Sequence, residues 1–175
     1  MLLFVLFLLY YQEYWLKQVS PKNKNLQEPS DCIVFHVHGG GFICQSSRSQ
    51  EMYLRRFAID SNVPFFCVDY SLLPNDVFPR AVEETIFAFC WMLENFAKLG
   101  TKGKRIVAFG DSAGCCLILS MCIQLQRLGV RLPDVIHFVY PYACATFAPS
   151  PSRLLAHADP IVPIPLLLRC CFGNI

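Results

Sequence analysis

From residue 32 onward the chain alternates short, almost wholly apolar runs with longer segments whose apolar residues recur at steps of three and four. Unbroken apolar runs bounded by turn residues predict strands covered on both faces, and the three-four spacing predicts amphipathic helices. Residues 32–37, CIVFHV, form a first strand that runs straight into a glycine-rich loop. Residues 47–62 open with serines and then set Met52, Leu54, Phe57 and Ile59 among charges, which predicts a helix. Residues 63–68 are a second buried strand. Over 79–99, Val82, Ile86, Phe89, Leu93 and Phe96 keep the helical step, and Gly100 supplies a stop. Residues 105–109 are a third strand, 113–128 an apolar helix ended by Gly129, and 135–139 a fourth strand.

The order β-α-β-α-β-α-β with right-handed crossovers predicts an α/β class fold: a doubly wound, mainly parallel sheet of about four recognisable strands. Beyond Pro141 the periodicity weakens. The stretch APSPSRLLAHADPIVPIP reads as loop, with a helix opening again over 166–171. On these patterns residues 1–16 are an apolar N-terminal segment, 17–31 a polar linker with two prolines, and 32–175 the α/β domain.

The N-terminal run MLLFVLFLLYY is broken by Gln12 and Glu13, short of the about 20 residues a membrane-spanning helix needs. It has neither a basic start nor a small-residue cleavage site, so a secretory signal is not expected. The expectation is a helix packed on the domain or the stray start of an incomplete gene product, with an N-terminal membrane anchor as the alternative. Hydrophobic residues make up 54% of the chain and charged ones 16%, with mean hydropathy +0.40. Such a chain buries most of itself, touches lipid, or lacks parts that would cover it. The net charge is only +2 and no basic stripe is present, which argues against nucleic acid as a partner. Lys17, Lys22 and Lys24 fall in the linker and read as solvated. Ten cysteines invite a disulfide reading, but no C-x-x-C or zinc-ligand spacing occurs. Cys67, Cys90 and Cys122 lie inside apolar runs, where they act as small hydrophobes, so reduced thiols in an intracellular protein are expected.

In a doubly wound sheet, ligands bind beyond the carboxyl ends of the strands. His38, Gly39, Gly40 and Gly41 follow the first strand, DYSLLPNDVFP (from Asp69) the second, and GDSAG the third. G-x-S-x-G alone is a weak signal, found by chance in about one chain in twenty of this length at typical composition. Placed between a buried strand and a helix, it matches a nucleophile elbow, with Gly110 and Gly114 leaving room for a sharp turn at Ser112. Asp111 completes the motif. HGGG is far rarer, about one chain in a thousand on the same argument. Its glycines let backbone N–H groups approach a reacting carbonyl, and the Ala113 N–H, at a helix N-terminus, adds another donor.

HGGGF, DYSLLPNDVFPRA and GDSAG in this order resemble the hormone-sensitive lipase family of α/β-hydrolases. FHVHGGGFICQSSRSQEMYL, FPRAVEETIFAFCWMLEN and SPSRLLAHADPIVP extend the likeness over residues 32–166. The resemblance implies a partial α/β-hydrolase fold with Ser112 as nucleophile, and Gly39, Gly40 and the Ala113 amide as oxyanion donors. His38 and Gly41 would then shape the loop, and Asp69 and Tyr70 brace the neighbouring turn. Where the family continues Gly-Asn after the elbow, this chain has Cys115 and Cys116.

The triad's acid and histidine are not found. In this fold they follow the serine, on loops after later strands. His36 lies in the first strand, His38 in the glycine loop and His137 in the fourth strand. His157 and Asp159 stand in inverted order and too close together; Asp159 reads as the start of a turn before Pro160. The expected function is hydrolysis of acylglycerols or sterol esters, impaired in this isolated chain, with no metal or organic cofactor. The expected setting is cytoplasmic, at a lipid-droplet or membrane surface. Two alternatives stay open: a ligand-binding member without turnover, as in plant hormone receptors of the same family, or an inactive fragment with an unpaired sheet edge.

Overall fold

The structure is a computed structural model describing residues 16–19, 28–142, 148 and 150–172. The apolar run at residues 1–11 and residues 20–27 of the linker lie outside the described residues. Five strands, β1 (Leu16–Val19), β2 (Ser30–Val37), β3 (Phe65–Val68), β4 (Thr101–Asp111) and β5 (Val135–Val139), form one sheet in the order β1-β3-β2-β4-β5. The four expected strands are β2 to β5, and all their pairings are parallel. The fifth strand is an addition: β1 crosses the expected boundary between apolar segment and linker. It pairs antiparallel with β3, Leu16 opposite Val68 and Val19 opposite Phe65.

Strand alternation sorts the core into two layers. Ile33, Phe35, Val37, Phe66, Val68, Ile106 and Ala108 face one side. There they meet helices α2 (Arg80–Glu94) and α3 (Ala113–Leu128) through Ala88, Phe89, Met92, Leu117, Ile118, Met121 and Leu125. The other side is thinner: Phe65 and Cys67 meet α1 (Glu51–Ser61) through Leu54 and Ala58. In α2 the buried positions Thr85, Ala88, Phe89 and Met92 follow the three-four rule that predicted the helix. Two short helices, α4 (Pro151–Leu155) and α5 (Ile164–Phe172), occupy the proline-rich region. No helix among the described residues is long and apolar enough to cross a membrane.

Three boundaries move for identifiable reasons. The helix predicted over 47–62 begins at Glu51, because Ser46 and Ser49 close a local turn on each other and Ser47 turns to Asp69. The helix predicted over 79–99 ends at Glu94, where the Asn95 amide donates to the Trp91 carbonyl and diverts a ladder acceptor. Phe96–Leu99 continue as a 3₁₀ turn, closed by Gly100 at φ 70°. β4 starts four residues early because polar Thr101 donates its hydroxyl to the Ser30 carbonyl and so joins β2.

The chain leaves β2 toward β3 on one side and enters β5 from β4 on the other. The direction of winding therefore reverses between β2 and β4, and a crevice opens at their carboxyl ends. Those ends carry HGGG and GDSAG.

Phe89 and Met92 are fully buried, whereas Met52 is 88% exposed. Met92→Ala is expected to cost about 2–5 kcal/mol in urea unfolding, and Met52→Ala less than about 0.5 kcal/mol.

Candidate active site

Ser112 sits between β4 and α3 at φ 49° and ψ −115°, a conformation that costs an L-residue about 1–3 kcal/mol. Neighbouring backbone holds it there. Its N–H donates to the Val139 carbonyl at 3.1 Å, and its carbonyl accepts from the Cys115 N–H at 3.1 Å. The hydroxyl makes no capping bond to the helix it precedes.

Two missing side chains set the approach of the loops. A Cβ on Gly114 would collide with the Val37 carbonyl oxygen and lie 2.8 Å from that of His38. A Cβ on Gly39 would collide with the Asp111 carboxylate. Because both are glycine, the end of β2 lies directly against the first turn of α3. Gly110 likewise leaves space for the Ile118 side chain beneath the turn.

The glycine loop is tied down from several sides. The Gly39 N–H donates to Asp111 Oδ1 at 3.0 Å. The Tyr70 hydroxyl donates to the carbonyls of His38 and Gly39, at 2.9 and 3.1 Å. Burial, with the Asp111 charge adding to it, pushes the Tyr70 phenol up, so it remains a donor. The Leu73 N–H donates to the Phe42 carbonyl at 2.8 Å, joining the DYSLLP segment to the loop. Asp69 accepts from Ser47 N–H and Oγ. Gly40 and Gly41 adopt φ 102° and 62°, open to glycine and strained for other residues. Their N–H groups have no acceptor among the described residues, unlike that of Gly39.

His36 and His38 are kept neutral. Burial pushes His36 down to about 3, helped by the neighbouring His38. Its Nε2 lies 3.9 Å from Asp111 Oδ1, too far for a hydrogen bond, and a neutral ring forms no ion pair. Neither ring nitrogen has a hydrogen-bond partner. Burial also lowers His38, against the opposing pull of the Gly39 carbonyl, to which its Nδ1 donates at 2.7 Å, and of Asp69. Its ring stacks on Tyr70 at 4.3 Å.

Of the expected site residues, the structure brings Ser112, Ala113, Gly114, Asp111 and Gly110 together with His38, Gly39, Gly40 and Gly41. It departs from the expected donor set at Gly39, whose N–H is committed to Asp111. Sequence reasoning passed over Gln50 and Tyr53. Gln50 Nε2 reaches both Asp111 oxygens at 3.2 Å, and Tyr53 bonds to Gln50. Cys115 is buried, its thiol donating to the Gly110 carbonyl at 3.1 Å. None of the four histidines hydrogen-bonds to Ser112 among the described residues. His137 is exposed on β5 and His157 exposed in a 3₁₀ turn. Asp159 Oδ1 accepts from the N–H groups of Ile161 and Val162, both at 2.8 Å, which makes it the turn former that its place before Pro160 suggests.

A family model described as the alpha/beta hydrolase fold matches residues 34–170. The chain belongs to the alpha/beta hydrolase fold family. Within it, the sequence is 45% identical over 141 residues to hormone-sensitive lipase of Mus musculus, covering 81% of this chain and 19% of that protein. It is 42% identical over 153 residues to that of Homo sapiens, covering 87% of this chain and 14% of that protein. The chain thus spans about a fifth or less of these relatives' length. Among solved structures, the hyperthermophilic esterase of the archaeon Pyrobaculum calidifontis superposes with a TM-score of 0.80 at 26% identity, covering 91% of this chain and 56% of that one. The α/β-hydrolase assignment accounts for the elbow at Ser112 and the glycine loop that faces it.

Two measurements probe this geometry. Gly114→Ala pushes a side chain into backbone and is expected to cost on the order of 4 kcal/mol or more in urea unfolding. Gly100→Ala, with nothing within 4 Å of the added carbon, should cost only the left-handed strain of about 1–2 kcal/mol. The second concerns pH. An unfolded histidine titrates at 6.5 and buried His36 at about 3. Between those values the unfolded chain holds a proton that the folded chain does not, so stability falls as pH drops through 6.5. The His36 share between about pH 7 and about pH 5 is about 2 kcal/mol. Urea midpoints at the two pH values should show this slope, and His36→Phe should flatten it, leaving only what His38 and other groups contribute.

Proposed function

We propose that this chain carries the nucleophile and oxyanion-binding part of a serine carboxylesterase of hormone-sensitive lipase type, acting on acylglycerols or sterol esters. The observation that carries the reading is Ser112, held on a strained turn with an uncapped hydroxyl, against a glycine loop with two uncommitted amides. In the proposed step Ser112 Oγ attacks the ester carbonyl carbon and loses its proton to a base. The carbonyl oxygen takes up negative charge, and the amides of Gly40, Gly41 and Ala113 stabilise it. Collapse breaks the bond to the alcohol, which leaves with a proton, and water then releases the acid from the acyl-serine. Gly39 drops out of the donor set proposed here because its N–H already serves Asp111.

No described histidine bonds to Ser112, so the base has to come from elsewhere, and we propose that acylation by this chain alone is slow. Exposed Leu154, Leu155 and Ile161 support apolar substrates, and with them a lipid-droplet or membrane surface as the place of action. The same lack of a base favours a second reading, ligand binding without turnover.

Incubation with p-nitrophenyl butyrate followed by mass spectrometry separates the two. The esterase reading expects a butyryl adduct on Ser112, absent in Ser112→Ala, with turnover at least about 10³-fold below that of a complete triad. Saturable binding of the ester with no adduct supports the binding reading. Turnover that survives Ser112→Ala undiminished overturns the esterase reading.

A further inference from the structure

Asp111 is 5% exposed, and no lysine or arginine pairs with its carboxylate among the described residues. The nearest cationic candidate, His36, is neutral and out of hydrogen-bond reach. A buried carboxylate without a counter-ion depends on neutral donors. The Gly39 N–H is one, and the Tyr140 phenol faces it from beyond β5. The side chain that addresses both of its oxygens is Gln50, which precedes α1 and is itself 8% exposed.

The Gln50 amide is fully engaged. Nε2 also donates to Gln45 Oε1 at 2.8 Å, and Oε1 accepts from the Tyr53 hydroxyl at 2.7 Å. Chemistry fixes this orientation: a carboxylate only accepts, so the NH₂ group must face Asp111. Tyr53, one turn into α1, holds the other end. Gln50 thereby ties the start of α1 to the residue before the nucleophile, and Asp111 passes the tie to Gly39, the first glycine of the loop.

We infer that Gln50 is a positioning residue for acyl transfer: its amide fixes Asp111, Asp111 fixes Gly39, and Gly39 sets where the Gly40 and Gly41 amides point. The inference rests on the oxyanion reading above. Removing the Gln50 donor leaves Asp111 with fewer partners, and it swings toward solvent or Gln45, releasing Gly39. Misplacing such a loop by about 1 Å costs on the order of 10²-fold in rate.

The test uses the full chain uniformly labelled with ¹⁵N, with two variants. Gln50→Met keeps the volume and removes the donor. The Gly39 amide proton should exchange about 10-fold faster or more, while amides in the middle of β4 keep their protection. The rate constant for Ser112 acylation by p-nitrophenyl butyrate should fall about 10- to 100-fold at an unchanged half-saturating concentration. Gln50→Glu sets a second carboxylate beside Asp111, among His36, His38, Tyr53 and Tyr140. At about pH 5 a proton shared by the pair restores a donor, and at about pH 8 two like charges repel. The acylation defect and the loss of Gly39 protection should therefore both grow as pH rises, while the wild-type Gly39 amide stays protected.

The inference is overturned by Gln50→Met with wild-type Gly39 exchange and acylation, or by a Gln50→Glu defect independent of pH. If the wild-type chain forms no Ser112 adduct at all, the esterase reading fails. Gly39 exchange in the two variants then decides by itself whether Gln50 holds the loop.

Discussion

Two loops touch here through bare backbone, and the rest of the site is arranged around that contact. The end of β2 meets the first turn of α3 because Gly114 offers no side chain to the Val37 and His38 carbonyls. One residue on, Gly39 offers none to Asp111. The two glycines are reciprocal, each making room for the other segment's polar atoms. Enlarging either would move the elbow away from the loop, and no adjustment elsewhere in the sheet could restore the approach. The strained backbone at Ser112 follows from it: the turn has to rise between β4 and α3 while both flanks are in contact with β2.

The sheet makes that contact possible at a distance. β2 and β4 are central and adjacent, and the chain winds outward from them in opposite directions. Their carboxyl ends are therefore the pair of neighbouring strand ends from which the chain departs to opposite faces, leaving an open crevice. The thick layer under α2 and α3 anchors β4 through Ile106 and Ala108 and α3 through Ile118 and Met121, so the elbow stands on the best-packed part of the domain. The polar network lies on the thinner α1 side, where His36, Phe109 and Asp111 alternate with the residues that build the main core. Precision at the serine is drawn from apolar packing on one face, and orientation of the glycine loop from hydrogen bonds on the other.

Much of the fold was legible in the chain because apolar runs and three-four spacing report burial directly. The strands β2, β3 and β5 and the helix α3 all sit where the pattern predicts. What escaped depends on partners distant in sequence. LKQV reads as the join of apolar segment and linker until β3 stands beside it, and TKGK reads as a connection until Thr101 finds Ser30. Asn95 looks like any helix residue until its amide takes the Trp91 carbonyl. The site divides in the same way. HGGG and GDSAG are backbone motifs, so the glycines and Ser112 could be read locally. The role of Asp111, the commitment of the Gly39 amide and the place of Gln50 rest on contacts across 61 to 72 residues, and no local pattern carries them.

Charge balance sets the remaining constraint on chemistry. The carboxylate one residue before the serine is buried, and both histidines next to the glycine loop are neutral. A tetrahedral oxyanion formed at Ser112 would add a second negative charge close to Asp111. Amide donors can stabilise it, but they remove no proton, and the displaced serine proton needs an acceptor that becomes positive. A cation formed near Asp111 is favoured by the same field that opposes the oxyanion. On the proposed reading, the described residues would bind an ester carbonyl and favour the protonated form of a base brought beside them. His36 does not fill that role among the described residues: it is fully buried in β2, where taking up a proton is costly, and neither of its ring nitrogens has a hydrogen-bond partner. On that reading the base would approach from the open, carboxyl-terminal side of the sheet, where the negative charge of Asp111 would favour its protonated form.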